Sequence, residues 1–199
     1  MNLNADNFRH FWQQNFPNCP PVSYLFKVEL SDCWFRFHSL PESKRYADNE
    51  TEFAEMLRRQ NTVLLDVIGT DHECVLVSGY YSGSLSLEEE CPALSHFDFQ
   101  DFLELSKQDF DPIDLEPDEE PVYLHLFCAT HKLKHGSLDD ILLCVAEEQT
   151  RKFFIVNCEC KRIFAPYDGG VDVILKEEKE RDEFKTKYKD WLSHHPLGF

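Results

Sequence analysis

The apolar positions change period several times along the chain, and each change marks an element. In "NADNFRHFWQQNFP", Phe8, Phe11 and Trp12 fall at i, i+3 and i+4, with Asn4 before them as a cap and Pro17 after them as a stop, so a short opening helix is predicted. "VSYLFKVEL" and "CWFRFHSL" then alternate and read as two strands joined at "LSD". In the second, Cys33, Phe35 and Phe37 would face one side and Trp34, Arg36 and His38 the other. Beyond Pro41 the period lengthens: Phe53, Leu57, Leu64 and Ile68 form one helical stripe, opened by Asn49 and Glu52 at capping-box spacing and closed by Gly69.

"ECVLVSGYYSG" reads as a strand. "HFDFQDFLELS" fits a helix, and "DFDPIDLEPDEEP" is too rich in proline and acid to pack. "VYLHLFCAT" is a further strand with "HKLKHG" as its exit. "SLDDILLCVAEEQ" is a helix with a capping-box pattern at Ser137 and Asp140. "KFFIVNCECKRIFAPY" and "VDVIL" are strands flanking a "DGG" turn, and the closing helix aligns Phe184, Tyr188, Trp191 and Leu192. Strands that come in adjacent pairs imply an α+β fold, with a mainly antiparallel or mixed sheet and helices packed against it. No glycine-rich phosphate loop joins a strand to a helix, which excludes a dinucleotide-binding reading. Residues 1–199 read as one domain carrying an acidic, mobile insertion at about 86–120.

Composition sharpens this picture at two points. The formal net charge of -17 opposes binding to a nucleic-acid backbone and favours a basic protein partner. The excess is local, since residues 86–120 hold thirteen carboxylates against one lysine. Eight cysteines, several inside apolar runs, fit reduced core residues of a cytoplasmic protein, and no apolar run approaches the roughly 20 residues of a membrane span.

Candidate chemistry is sparse. Cys158 and Cys160 would share a strand face, but no Cys-x-x-Cys accompanies them. His125, His131 and His135 lack the glutamate of a metalloprotease helix, and no serine sits in a nucleophile elbow. No cofactor, metal or catalytic residue is therefore assigned. What stands out is "RFHSLPESKRYAD", which sets Arg36, His38, Lys44, Arg45 and Tyr46 around one proline. These residues either pair with local acids or form a cationic, aromatic-edged patch for a carboxylate, phosphate or partner acid, with Asp168 and Asp172 brought close by the "YDGGVD" turn.

The same block, with "EFAEMLRRQNTVL", "YDGGVDVI" and "YKDWL", resembles a family of uncharacterised bacterial proteins classed as domains of unknown function. The resemblance implies a bacterial cytosolic setting and a joint role for the Arg36–Tyr46 block and the Asp168–Asp172 turn. It brings no activity with it. Two functions follow as expectations: a noncatalytic binding protein of immunity or adaptor type that engages a basic protein through an acidic surface, or a small enzyme or ligand sensor that binds an anionic small molecule at the Arg36–Tyr46 loop.

Overall fold

A computed structural model describes residues 4–110 and 121–192. Seven strands form one sheet, in the order β1 (Trp34–His38), β7 (Gly170–Ile174), β6 (Arg162–Tyr167), β5 (Phe154–Asn157), β2 (Glu73–Tyr81), β4 (Tyr123–Lys132) and β3 (Gln100–Ser106). Every neighbouring pair is antiparallel, so the open choice between an antiparallel and a mixed sheet resolves to the first.

Helices cover both faces. On one, α3 (Glu50–Ile68), α6 (Asp139–Ala146) and the segment around α7 (Glu178–Lys187) enclose Phe35, Phe37, Leu76, Ile155, Phe164 and Val173. On the other, α1 (Ala5–Asn15) and the short α2 (Phe26–Glu29) cover Val75, Val77, Leu126, Phe154 and Ile163. Consecutive residues of β2 and β5 thus enter opposite cores, which is why these strands read as continuous apolar runs instead of alternating ones. Burying Phe8, Phe11 and Trp12 of α1 removes three large side chains from water, each worth about 1.5–3 kcal/mol. Asn4 caps that helix by accepting from the Asn7 N–H at 2.9 Å.

α3 follows its expected bounds. The Asn49 side chain accepts from the Glu52 N–H at 3.1 Å, while the Glu52 carboxylate reaches one residue further back than a capping box requires, to the Asp48 N–H at 2.7 Å. Gly69 then leaves the helix at φ 95°.

Several expectations are corrected. Residues 23–29, expected as a strand, form a 3-10 turn and α2; Phe26 is fully buried but Val28 is 64% exposed, so the alternation does not describe a sheet face. Residues 100–106, expected as helix, form edge strand β3, where a bulge between Asp101 and Leu103 interrupts the alternation that would have revealed it. α6 starts without a side-chain cap, because the Ser137 hydroxyl donates instead to the Lys134 carbonyl at 2.8 Å. The closing helix stops at Lys187, and Tyr188, Trp191 and Leu192 reach the core through a 3-10 turn, Leu192 bridging to Phe37. Cys158 and Cys160 lie in the turn between β5 and β6 and not on a strand, and all eight cysteines are free. The acidic stretch is described only as far as the four-residue α5 (Lys107–Phe110); residues 111–120 lie outside the described residues. Among the described residues no helix is long and apolar enough to cross a membrane.

Candidate functional site

Antiparallel pairing brings the end of β1, the β6–β7 turn and the start of β5 to one end of the sheet. Arg36 and Asp172 are direct cross-strand partners there. The guanidinium donates to both carboxylate oxygens, at 2.6 and 2.8 Å, and lies 4.3 Å from the centre of the Tyr167 ring. Burial opposes the Arg36 charge, but the hydrogen bonds and charge of Asp172 outweigh it and hold the guanidinium above its ordinary pKa. Burial likewise raises the Tyr167 phenol.

The strand closes on Gly170 because nothing larger fits. A Cβ there would lie 2.1 Å from the Phe37 carbonyl oxygen. His38, opposite Gly170 in register, has its imidazole pushed below the ordinary pKa by burial and then by Arg36, against a backbone hydrogen bond to Gly169. Its Nε2 is buried without a partner among the described residues. A neutral histidine follows, held by the strand end rather than by a carboxylate.

The loop after β1 carries strain. Glu42 and Ser43 both sit in the left-handed region, at φ 56° and 57°. From there Lys44 and Arg45 diverge. Lys44 turns back to Asp48 at 2.7 Å and Glu52 at 2.6 Å, whereas Arg45 crosses to Asp168 at 2.5 Å. Tyr46 donates to Glu148 at 2.6 Å and to Asp168 at 3.1 Å. The Glu148 hydrogen bond is the main reason its phenol is pushed up to about 12.

Arg45 and Asp168 line a cavity of about 240 Å³ with Tyr167, Glu148, Thr150 and Arg151. Glu148 pairs with Arg151 and holds a left-handed backbone at φ 58°. Thr150 is 1% exposed, and its hydroxyl finds no partner among the described residues. The structure therefore gathers Arg36, Asp172, Arg45, Tyr46 and Asp168 around Tyr167, with His38 beside the same turn, and sends Lys44 elsewhere. Glu148, Thr150 and Arg151 were not anticipated. They lie on the α6–β5 connection, about a hundred residues from Tyr46. Their only sequence signal is a short charged run, "EEQTRK", between an apolar helix and an apolar strand.

Chemically, the cluster neutralises itself. Each cation of the Arg36–Arg45 group already holds a carboxylate, so an added anion would have to displace one. Two of the three histidines considered for metal are occupied separately: His125 lies 3.2 Å from Glu104, and His131 hydrogen-bonds the Ser137 hydroxyl at 2.9 Å; among the described residues no group of three or more metal-ligating side chains forms.

The acidic stretch presents the opposite condition. Glu88 and Glu89 are exposed on the short α4 (Leu87–Glu90), Asp98 just before β3, and Asp101 and Glu104 on β3 itself. Glu88, Asp98 and Asp101 form no ion pair or side-chain hydrogen bond with another described residue.

Together these features define an antiparallel α+β protein, helix-covered on both faces, with a balanced charge cluster at one end of its sheet and an acidic strand at one edge. Residues 8–196 match the family described as Domain of unknown function (DUF3885), and the chain belongs to that family. The matched span runs across the acidic stretch as well as the blocks around Arg36 and Asp172. No curated protein and no solved structure matches the chain.

Proposed function

We propose that this protein is a noncatalytic binding protein, of immunity or adaptor type, that holds a basic protein partner against its acidic β3 edge. One contrast carries the reading. The cations of the Arg36–Arg45 group are neutralised internally, while carboxylates at the β3 edge are exposed and Glu88, Asp98 and Asp101 are unpaired among the described residues. Uncompensated charge at the surface is available for long-range steering, and a basic partner would supply the missing counter-charge.

The test is capture of partners from the source cell by the wild-type protein and by the triple variant Asp98→Lys, Asp101→Lys, Glu104→Lys, each at low and high salt. The reading requires a basic protein retained by the wild type at low salt, weakened at high salt, and lost in the variant. Equal recovery by both proteins, or by neither, refutes it.

A second reading, a sensor or enzyme for an anionic small molecule at the Arg36–Tyr46 loop, is favoured by the 240 Å³ cavity that Arg45 lines and by the Thr150 hydroxyl, unpartnered among the described residues. The prior pairing of its cations counts against it. A thermal-shift screen of phosphorylated and carboxylated metabolites, repeated on Arg45→Ala, decides the matter: a stabilising ligand lost in the variant supports it, and a flat screen removes it.

A further inference from the structure

A second cavity, of about 280 Å³, lies at the same end of the sheet on the face covered by α1 and α2. Its floor is Val22, Leu124 and Leu126, its walls include Tyr24 and Tyr81, and Arg151 and Lys152 line it as cations. The volume stands just below the ~300–1,000 Å³ typical of small-molecule pockets.

The two cations differ. Arg151 is paired with Glu148, whereas Lys152 makes no ion pair with any described residue. The Lys152 ammonium lies 4.7 Å from the centre of the Tyr81 ring. Burial is the main cause that lowers its pKa, with Glu90 opposing and Arg151 adding to the effect. A half-buried cation therefore borders an apolar floor with an aromatic face beside it and, among the described residues, no carboxylate within ion-pair distance.

We propose that this cavity binds a small carboxylate with an apolar body, the carboxylate on Lys152 and the body over Val22, Leu124 and Leu126. A carboxylate brought to a partly desolvated ammonium restores the charge partner that burial denies it. The apolar body recovers the area of the floor from water. A neutral ligand of the same shape gains only the second of these, and a compact inorganic anion only the first. The site is independent of the β3 edge, so its failure would leave the proposed function untouched.

The test is calorimetric titration of the full chain with 3-phenylpropionate and with octanoate, each against its primary amide, repeated on Lys152→Gln and Lys152→Arg. In the wild type at least one acid binds about tenfold or more tightly than its amide, the equivalent of about 1.4 kcal/mol. That preference disappears in Lys152→Gln and persists in Lys152→Arg. The better of the two acids distinguishes an aromatic from an aliphatic occupant. Equal affinity of acid and amide in the wild type, no binding of either acid at millimolar concentration, or a preference that survives Lys152→Gln overturns the proposal.

Discussion

The Arg36–Asp172 pair offers a direct measure of how firmly this end of the sheet is built. The two residues face each other across β1 and β7, joined by two charge-assisted hydrogen bonds at 2.6 and 2.8 Å. Asp172 retains 6% of its side-chain exposure and Arg36 retains 17%. Removing one member of a buried pair strands the other, at about 3–5 kcal/mol, whereas replacing both with apolar residues of similar size is close to neutral. The two truncations should differ. Arg36→Met abandons a carboxylate that water can barely reach, so its cost belongs at the upper end, about 4–5 kcal/mol. Asp172→Val abandons a guanidinium that is somewhat more exposed and still lies 4.3 Å from the Tyr167 ring and 5.7 Å from the Trp34 ring, so its cost belongs near 3 kcal/mol. Val also suits a strand interior.

The assay is urea unfolding of the four proteins of the double-mutant cycle, compared at constant slope. The double variant should recover most of the loss and fall within about 1–2 kcal/mol of wild type. Three results refute the reasoning: single substitutions costing under about 1 kcal/mol, as an exposed pair would give; a double variant as unstable as the sum of the singles; or Asp172→Val costing more than Arg36→Met.

Further expectations follow from the same geometry. Gly170→Ala should destabilise by about 1–3 kcal/mol or more in urea unfolding, since its Cβ meets the Phe37 carbonyl oxygen at 2.1 Å; Gly83→Ala, with φ 80° but nothing within 4 Å, should cost only about 1 kcal/mol. Glu55, held at about 2 chiefly by its Arg58 hydrogen bond, contributes stability that is fully present above the unfolded value near 4.5 and is lost as pH falls through 2; Glu55→Gln should therefore be less stable than wild type at pH 7, with the gap closing between pH 4.5 and 2 in thermal melts. Native alkylation followed by mass spectrometry should modify Cys160 first, because it is half-exposed on a turn, while burial raises the Cys19, Cys74, Cys91, Cys128 and Cys158 thiols to about 12.

The sequence makes the local parts of this structure legible and hides the distant ones, for physical reasons that particular residues show. α3 can be read because its cap, stripe and terminal glycine are all local, and β1 because at this edge of the sheet Phe35 and Phe37 enter one core while Arg36 and His38 occupy a polar opposite face. α2 cannot, because Tyr24 and Val28 remain exposed and imitate a strand's alternation without facing any core. β3 is hidden by its bulge, which puts Phe102 into the α1 core between two paired residues of the strand. At the site, the pairing of Arg45 and Tyr46 with Asp168 was partly foreshadowed by the glycine turn. The contact with Glu148 depends on strand order β1-β7-β6-β5, which no local pattern encodes.

The two edges of the sheet are managed differently, and the difference bears on function. At β1 the outer side of Phe37 is bridged by Leu192. At β3 the described neighbours cover a face, through Phe8 against Phe102 at 5.1 Å, and Asp101 and Glu104 remain exposed along the strand. Charged residues on an edge strand discourage pairing with another edge. Carboxylates alone do something more selective. A second copy of this chain approaching through β3 would set acid against acid, whereas a strand or helix bearing lysine and arginine would meet its counter-charge at Asp101 and Glu104. The same carboxylates would therefore oppose self-pairing through β3 and fit the proposed basic partner, which is specificity by repulsion as much as by attraction.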